Sequence, residues 1–263
     1  MAQYLIFPAV LTNKGNGTGM SADSYPYRSI LITGASSGIG EALARAWAAP
    51  GVTLTLSGRD TARLGLVAEA CRRAGATVAP AAIDVTDWAA MAKWIAESDD
   101  AAPLDLVVAN AGIGGGTGGA GEDEEQVRAI FAVNVDGVLN TVLPAIPRMR
   151  TRRRGQIAIV SSLAGFIAVP GAPTYCASKF AVRAYGEALR GWLADDGVGV
   201  SVVCPGYVTT RMTEKNDFPM PLLMTAEKAA GIIARGIARN RGRIAFPWPL
   251  YALIRLVTAI PRA

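Results

Sequence analysis

The sequence predicts a single-domain α/β protein, a doubly wound parallel sheet flanked by helices. Three observations point there. Short apolar runs suited to buried strands alternate with helical patterns from residue 29 onward. A Gly-rich turn at 33–40 joins the first such run directly to the first helix. Polar or Gly-rich signals then recur at the ends of successive strand runs, the edge at which such sheets bind ligands. At 263 residues the chain has ample length for one full core.

Residues 1–27 read as an irregular extension and 28–263 as the folded unit. The apolar run 4–11 is short and has no basic flank, so it does not read as a signal peptide, and the Gly/Asn/Thr-rich 13–19 reads as disordered. Ser29, Ile30, Leu31 and Ile32 suit a strand buried on both faces. The turn Thr33-Gly34-Ala35-Ser36-Ser37-Gly38-Ile39-Gly40 follows, then a helical pattern in Glu41, Ala42, Leu43, Ala46 and Trp47. Glycines there let backbone N–H groups approach a pyrophosphate, and the helix N-terminus adds a favourable dipole.

The pattern repeats as strand 52–56, helix 61–74, strand 77–83, helix 87–96, strand 104–109, helical stretch 124–149, strand 156–160 and helix 174–194. In the helix at 87–96, Trp88, Met91 and Ile95 fall on one side. Such alternation implies right-handed crossovers. The strand-end signals are 34–40, Ser57-Gly58-Arg59, Asp84-Val85, Asn110-Ala111-Gly112, Ser161-Ser162 and Pro205-Gly206.

Composition excludes several classes. The chain is 51% hydrophobic and 18% charged with a net charge of +5, and it has no basic block interleaved with aromatics, which argues against nucleic acid as a partner. It contains no His, which removes Ser-His-Asp and Cys-His schemes and His-ligated metal sites, so no metal is expected. Cys71, Cys176 and Cys204 have no CxxC spacing and suggest reduced thiols in a cytoplasm-like compartment.

One stretch carries acid–base chemistry. Tyr175 and Lys179 are four apart, so a helix stacks them on one face. A free phenol has a pKa of about 10. An ammonium beside it favours the phenolate and draws that value towards the range useful for proton transfer. Ser162 follows a strand run, and its hydroxyl can bond an oxygen on which charge develops.

Together these residues resemble the short-chain dehydrogenase/reductase family. The matched pieces are TGASSGIG (33–40), DVTD (84–87), NAG (110–112), Asn134 in FAVNVDG, VSSLAG (160–165), YCASK (175–179) and PGYVTT (205–210), spanning 29 to about 243. The resemblance implies a Rossmann-type fold and hydride transfer between a nicotinamide cofactor and a carbonyl or secondary alcohol. It implies Tyr175 as catalytic acid/base and Ser162 as the group polarising the substrate oxygen. Lys179 is implied to lower the Tyr175 pKa and hold the nicotinamide ribose, and Asn134 to position a water linking Lys179 to solvent. The implied cofactor contacts are Gly34, Ser36, Ser37, Gly38, Ile39, Gly40, Arg59, Asp84, Val85, Asn110, Ala111, Gly112, Tyr175, Lys179, Pro205, Gly206, Val208 and Thr210.

Gly58-Arg59 closes the second strand where an acidic residue would select NAD, so NADP is expected over NAD. Ala109 stands where the family usually has a first Asn, and the Gly-rich run 114–121 reads as a mobile loop beside the substrate. The segment 213–225 is expected to form a lid, apolar through Phe218, Met220, Leu222, Leu223 and Met224, which suits a hydrophobic ketone or acyl chain. The family's usual ending is replaced by Trp248-Pro249-Leu250 and an apolar tail, 244–263. That tail is too short and broken to span a bilayer. It is expected to cover the core or a subunit interface, the alternative being a membrane surface.

Family members commonly pair through the helices carrying Asn134 and Tyr175, so a homodimer or homotetramer is expected. Ala181, Tyr185, Leu189, Trp192 and Leu193 are the apolar positions for it on the second helix. Two other functions fit the same fold. One is a catalytically silent nucleotide-binding regulator, against which the intact Asn134, Ser162, Tyr175 and Lys179 argue. The other is an epimerase or dehydratase of the extended branch, whose G-x-x-G-x-x-G turn this chain lacks.

Overall fold

The computed structural model describes residues 26–116 and 121–259. The expectations for 1–25, for the middle of the Gly-rich run and for 260–263 lie outside the described residues. Among the described residues seven parallel strands form one sheet: β1 (Ser29–Ile32), β2 (Thr53–Ser57), β3 (Thr77–Ala81), β4 (Leu106–Ala109), β5 (Gly155–Val160), β6 (Val198–Pro205) and β7 (Arg243–Phe246). Their order is β3-β2-β1-β4-β5-β6-β7. The order reverses between β1 and β4, and that reversal opens the crevice in which this architecture binds ligands.

The helices are α1 (Gly38–Trp47), α2 (Thr61–Arg73), α3 (Trp88–Ala101), α4 (Glu124–Phe131), α5 (Gly137–Val142), α6 (Ala145–Thr151), α7 (Pro173–Trp192), α8 (Ala226–Ala238) and α9 (Trp248–Ala259). Several starts are written locally. Asp60, Asp87, Asp123 and Thr225 each accept a backbone N–H three residues on, capping α2, α3, α4 and α8. Each such cap is worth about 1 kcal/mol.

Successive strand residues point to opposite faces. Ile30 and Ile32 pack with Leu43, Trp47, Leu64 and Ile233 of α1, α2 and α8. Leu31 packs on the other face with Met91, Ile95, Val138 and Leu189 of α3, α5 and α7. Asp99 ties α3 to its neighbours: it accepts from the Leu104 N–H at 2.8 Å, Arg152 Nη1 at 2.9 Å and Arg148 Nη1 at 3.4 Å. Burial alone would raise its carboxyl, but the bonds from Arg152, Leu104 and Arg148 hold it below the usual range.

Four sequence expectations are refined. The helix expected over 87–96 runs on to Ala101, and only Met91 and Ile95 of the proposed stripe are buried. Trp88 is the first helical residue, so its side chain leans back past the helix start and into solvent. The helical stretch over 124–149 stays helical but not uniformly α: it carries a π turn, Ala132–Asp136, and a turn before α6, where Pro144 has no N–H to continue the ladder. By composition 124–151 is apolar enough to cross a membrane, but half of its most apolar window is buried inside the fold. The tail at 244–263 begins as a strand: β7 pairs parallel with β6, and Ile244 and Phe246 are buried.

Candidate active site

The Gly-rich turn leaves β1 at Gly34, whose φ of +66° is a left-handed conformation that glycine adopts without strain. A Cβ on Gly40 would strike the Gly34 carbonyl and stand 2.6 Å from Asn110 Nδ2. The turn is therefore wound tightly against the end of β4. Asn110 Nδ2 donates to the carbonyls of Thr33 at 2.9 Å and Gly34 at 3.2 Å. The Thr33 hydroxyl accepts from the N–H groups of Asn110 and Ala111 at 3.1 and 3.2 Å. The Asn110 amide thus holds the turn, leaving its backbone to face a ligand. Ser37 makes no side-chain cap on α1. A bare helix start framed by glycines fits the pyrophosphate of a dinucleotide.

The adenosine end of the crevice is also built. A Cβ on Gly58 would touch Ser36 at 3.0 Å, so the end of β2 lies against the turn. Arg59 next to it is exposed, with Nη1 3.7 Å from Asp84 Oδ2. Burial would raise the Asp84 carboxyl, but the Thr86 N–H and hydroxyl, and then Arg59, hold it below the usual carboxylate range. Val85 is buried against Gly137, and its carbonyl accepts from Asn140 Nδ2 at 2.9 Å.

The residues expected to carry the chemistry lie beyond β4 and β5. Asn134 sits in the π turn, fully buried. Its Oδ1 accepts from the Ile113 N–H at 2.8 Å, and its Nδ2 donates to the Ile113 carbonyl at 3.0 Å and to Ser178 Oγ at 3.1 Å. The side chain thereby locks the chain after β4 to α7, the helix that carries Tyr175 and Lys179. A Cβ on Gly112 would stand 3.2 Å from Asn134 Oδ1 and 3.3 Å from Lys179 Nζ. Three sequence-predicted residues therefore meet at one point.

Lys179 is 3% exposed, donates to the Val160 carbonyl at 3.2 Å and lies 5.7 Å from the Tyr175 ring centroid. Burial pulls its ammonium down to about 8. Burial pushes the Tyr175 phenol up, against a lowering hydrogen-bond contribution from Ser162. The Lys179 ammonium is not among the groups that act on that phenol. The ammonium is committed to a main-chain carbonyl, and desolvation outweighs every favourable contact of the phenol. Ser162 starts a 3₁₀ turn, Leu163–Gly165, with its Oγ accepting from the Ala164 N–H at 3.1 Å.

Three contributors were given no role by the sequence. The Ser161 hydroxyl donates to the Lys179 carbonyl at 2.8 Å and fixes α7 against β5. The Glu122 carboxylate accepts from the Thr174 N–H at 3.1 Å and from the Thr174 hydroxyl, holding the first turn of α7 one residue before Tyr175. Tyr207 brings a second phenol close enough to act on the charge of Tyr175. Ser161 was legible as the neighbour of Ser162; Glu122 gave no signal, being 52 residues from its partner.

Pro205 and Gly206 close β6, and the Gly206 N–H donates to the Phe246 carbonyl at 2.7 Å. The segment expected to form a lid follows from there. Its two ends are joined by a bridge between Val208 and Met224. Thr213 Oγ1 donates to the Val208 carbonyl at 2.7 Å. Thr210 rests on the Gly-rich turn, 2.9 Å from where a Gly38 Cβ would stand. Met212 faces Gly114 across the crevice. Phe218, Leu222 and Leu223 are exposed, whereas Met224 is buried at the lid's base and does not line it.

A dinucleotide cradle beside a Ser–Tyr–Lys group at the switch point of a parallel sheet defines a nicotinamide-dependent oxidoreductase. The chain belongs to the short-chain dehydrogenase family, whose model matches residues 28–219. An uncharacterized oxidoreductase of Myxococcus xanthus is 40% identical over 236 residues, 89% of this chain and 93% of that one. A short-chain dehydrogenase/reductase from Burkholderia phymatum, solved in complex with NAD, superposes with a TM-score of 0.81 at 27% identity, covering 89% of this chain and 93% of that one. A short-chain dehydrogenase from Sphingobium yanoikuyae, solved with NADPH, gives a TM-score of 0.76 at 25% identity, covering 89% and 96%.

Proposed function

We propose that the chain is an NADP-dependent carbonyl reductase or alcohol dehydrogenase acting on a hydrophobic ketone or acyl-type substrate. The convergence of Gly112, Asn134 and Lys179 beside Tyr175 and Ser162 carries this reading. The bound nicotinamide supplies or accepts the hydride. Ser162 orients the substrate oxygen, and Tyr175 gives that oxygen its proton during reduction. Lys179 holds the ribose and refills the phenol's proton, and Asn134 is assigned the water between Lys179 and solvent. Arg59, uncovered beside Ser36 and Gly58, supports NADP over NAD. The exposed apolar side chains of the lid support an apolar substrate.

Self-association belongs to the same reading. Leu189 and Leu193 are used by the core and Tyr185 packs partly against it, so of the expected α7 positions Ala181 and Trp192 remain exposed, joined by Ala184 and Ala188 and by Phe131 on α4. We place a homodimer there, checked by sedimentation at micromolar concentration. The three cysteines are buried and free, in keeping with a cytoplasmic setting. The deciding experiment follows nicotinamide absorbance with NADPH and NADH against a panel of apolar ketones, β-keto thioesters and sugars. Oxidation of NADPH by the apolar members is expected. A protein that binds NADPH but turns over no carbonyl would be a silent regulator, and the enzymatic reading would fall.

A further inference from the structure

α9 has two apolar faces, and the fold uses one of them. Leu250, Tyr251 and Ile254 pack inward against Leu163, Phe166, Val202 and Cys204. At about 100° per residue, the opposite half-circle carries Trp248, Pro249, Ala252, Leu253, Leu256 and Ala259, with Val257 just beyond one edge. Trp248 is 72% exposed, Leu253 56%, Leu256 66% and Val257 43%. No charged side chain interrupts that outer face, and Arg255 stands at its border.

The rim is positively charged. Arg243 Nη1 donates to the Tyr251 hydroxyl at 3.0 Å, and Arg243 and Arg255 both lie over the Phe166 ring, at 5.3 and 5.9 Å. These contacts fold α9 back so that its later turns lie beside the start of β7. Arg239 and Arg241 immediately precede that strand. Both are exposed, as is Arg255, and none of the three has an ion-pair partner among the described residues. The acid bonded to this group is Glu187, already shared by Arg183 and Arg243.

We propose that the outer face of α9 docks on an anionic lipid surface. An apolar stripe rimmed by unpaired arginines matches acyl chains below and phosphate headgroups beside it. A second copy is the poorer occupant, because a two-fold contact here would set the same arginines against one another. The helix has 12 residues, about 18 Å of length, so it lies along the surface and does not cross it. Its inner face borders the site: Leu250 Cδ2 is 3.3 Å from where a Gly206 Cβ would stand, at the root of the lid. Docking would bring the mouth of the crevice to the bilayer.

The test uses the full chain with phosphatidylcholine vesicles, with and without phosphatidylglycerol, under sedimentation. Binding is expected only with phosphatidylglycerol, and it should weaken as salt rises. Leu253→Glu/Leu256→Glu should lose at least about tenfold in partitioning while keeping its thermal unfolding midpoint. Should that variant unfold, Arg241→Glu/Arg255→Glu, which leaves the apolar face intact, should show the same loss. Failure to bind anionic vesicles, equal binding to neutral ones, or binding unchanged in the variants would overturn the proposal. So would a leucine variant that turns an oligomer into a monomer, since a second copy would then be the occupant.

Discussion

Arg59→Ala separates the two nicotinamide cofactors by binding alone, with no substrate required. Arg59 Nη1 is 3.7 Å from Asp84, with the two side chains 65% and 41% exposed. An ion pair so open is worth about 0–1 kcal/mol. A 2′-phosphate meeting the same guanidinium gains charge-assisted hydrogen bonds worth about 1.5–3 kcal/mol. The phosphate must draw Arg59 from Asp84, so the net loss on truncation is about 1–2 kcal/mol. That corresponds to NADPH binding weakened roughly 5- to 30-fold. NADH, without the phosphate, should change by less than about twofold on the same scale. Fluorescence titration of both reduced cofactors against both proteins gives the four dissociation constants. Equal weakening of NADH and NADPH, or a tighter NADH complex in the unsubstituted protein, would refute the reasoning.

Tyr175→Phe should reduce carbonyl turnover by at least about 100-fold, the usual contribution of a positioned proton donor, with NADPH affinity nearly unchanged; near-normal turnover would sink the assignment. Lys179→Met should stabilise the fold at pH 7, because burial holds the Lys179 ammonium down at about 8 against 10.5. A lowered lysine pKa means that the folded state binds its proton less well. The destabilisation is full below pH 8, about 3 kcal/mol, and fades as pH rises towards 10.5, which urea unfolding at pH 7 and pH 10 would reveal. Asp99→Asn should cost about 2 kcal/mol at neutral pH by weakening the bonds from Arg152 and Arg148. The Asp99 pKa is lowered, so its contribution is present above the ordinary carboxylate range and lost as pH falls. Melting curves of the two proteins should therefore converge in acid, and a constant gap would show that charge is not the cause.

Local chemistry made most of this molecule legible. The apolar run from Ser29, the glycines that follow it and the one-turn spacing of Tyr175 and Lys179 each state their own structure. Asp60 and Asp87 announce helix starts for the same reason. What escaped reading depends on distant partners. Glu122 finds Thr174 only once β4, α4 and α7 are assembled. The Asn110 amide is spent on Thr33 and Gly34 because the turn curls back over β4. The strand inside the tail was hidden by Pro247 and Pro249, which mark Arg243–Phe246 as part of a broken apolar stretch until β6 offers it an edge. The Tyr175 phenol depends on burial as well as on its neighbours. Spacing tells which groups are neighbours, whereas the direction of a pKa depends on how much water each has lost.

The lid is a loop with both ends fastened. Val208 and Met224 bridge its base, Thr213 is tied to Val208, and Thr210 is seated on the turn that frames the dinucleotide. Between those fastenings Met212 reaches the chain after β4 at Gly114, and Phe218 packs edge-on against Tyr207. Closing a loop of this size costs little more when a few residues are added. On the proposed reading, the segment expected to choose the substrate hangs from Val208 and Thr210, residues expected to face the dinucleotide. On that reading, new sequence inserted between Thr213 and Met224 would alter what the crevice accepts while leaving both anchors in place.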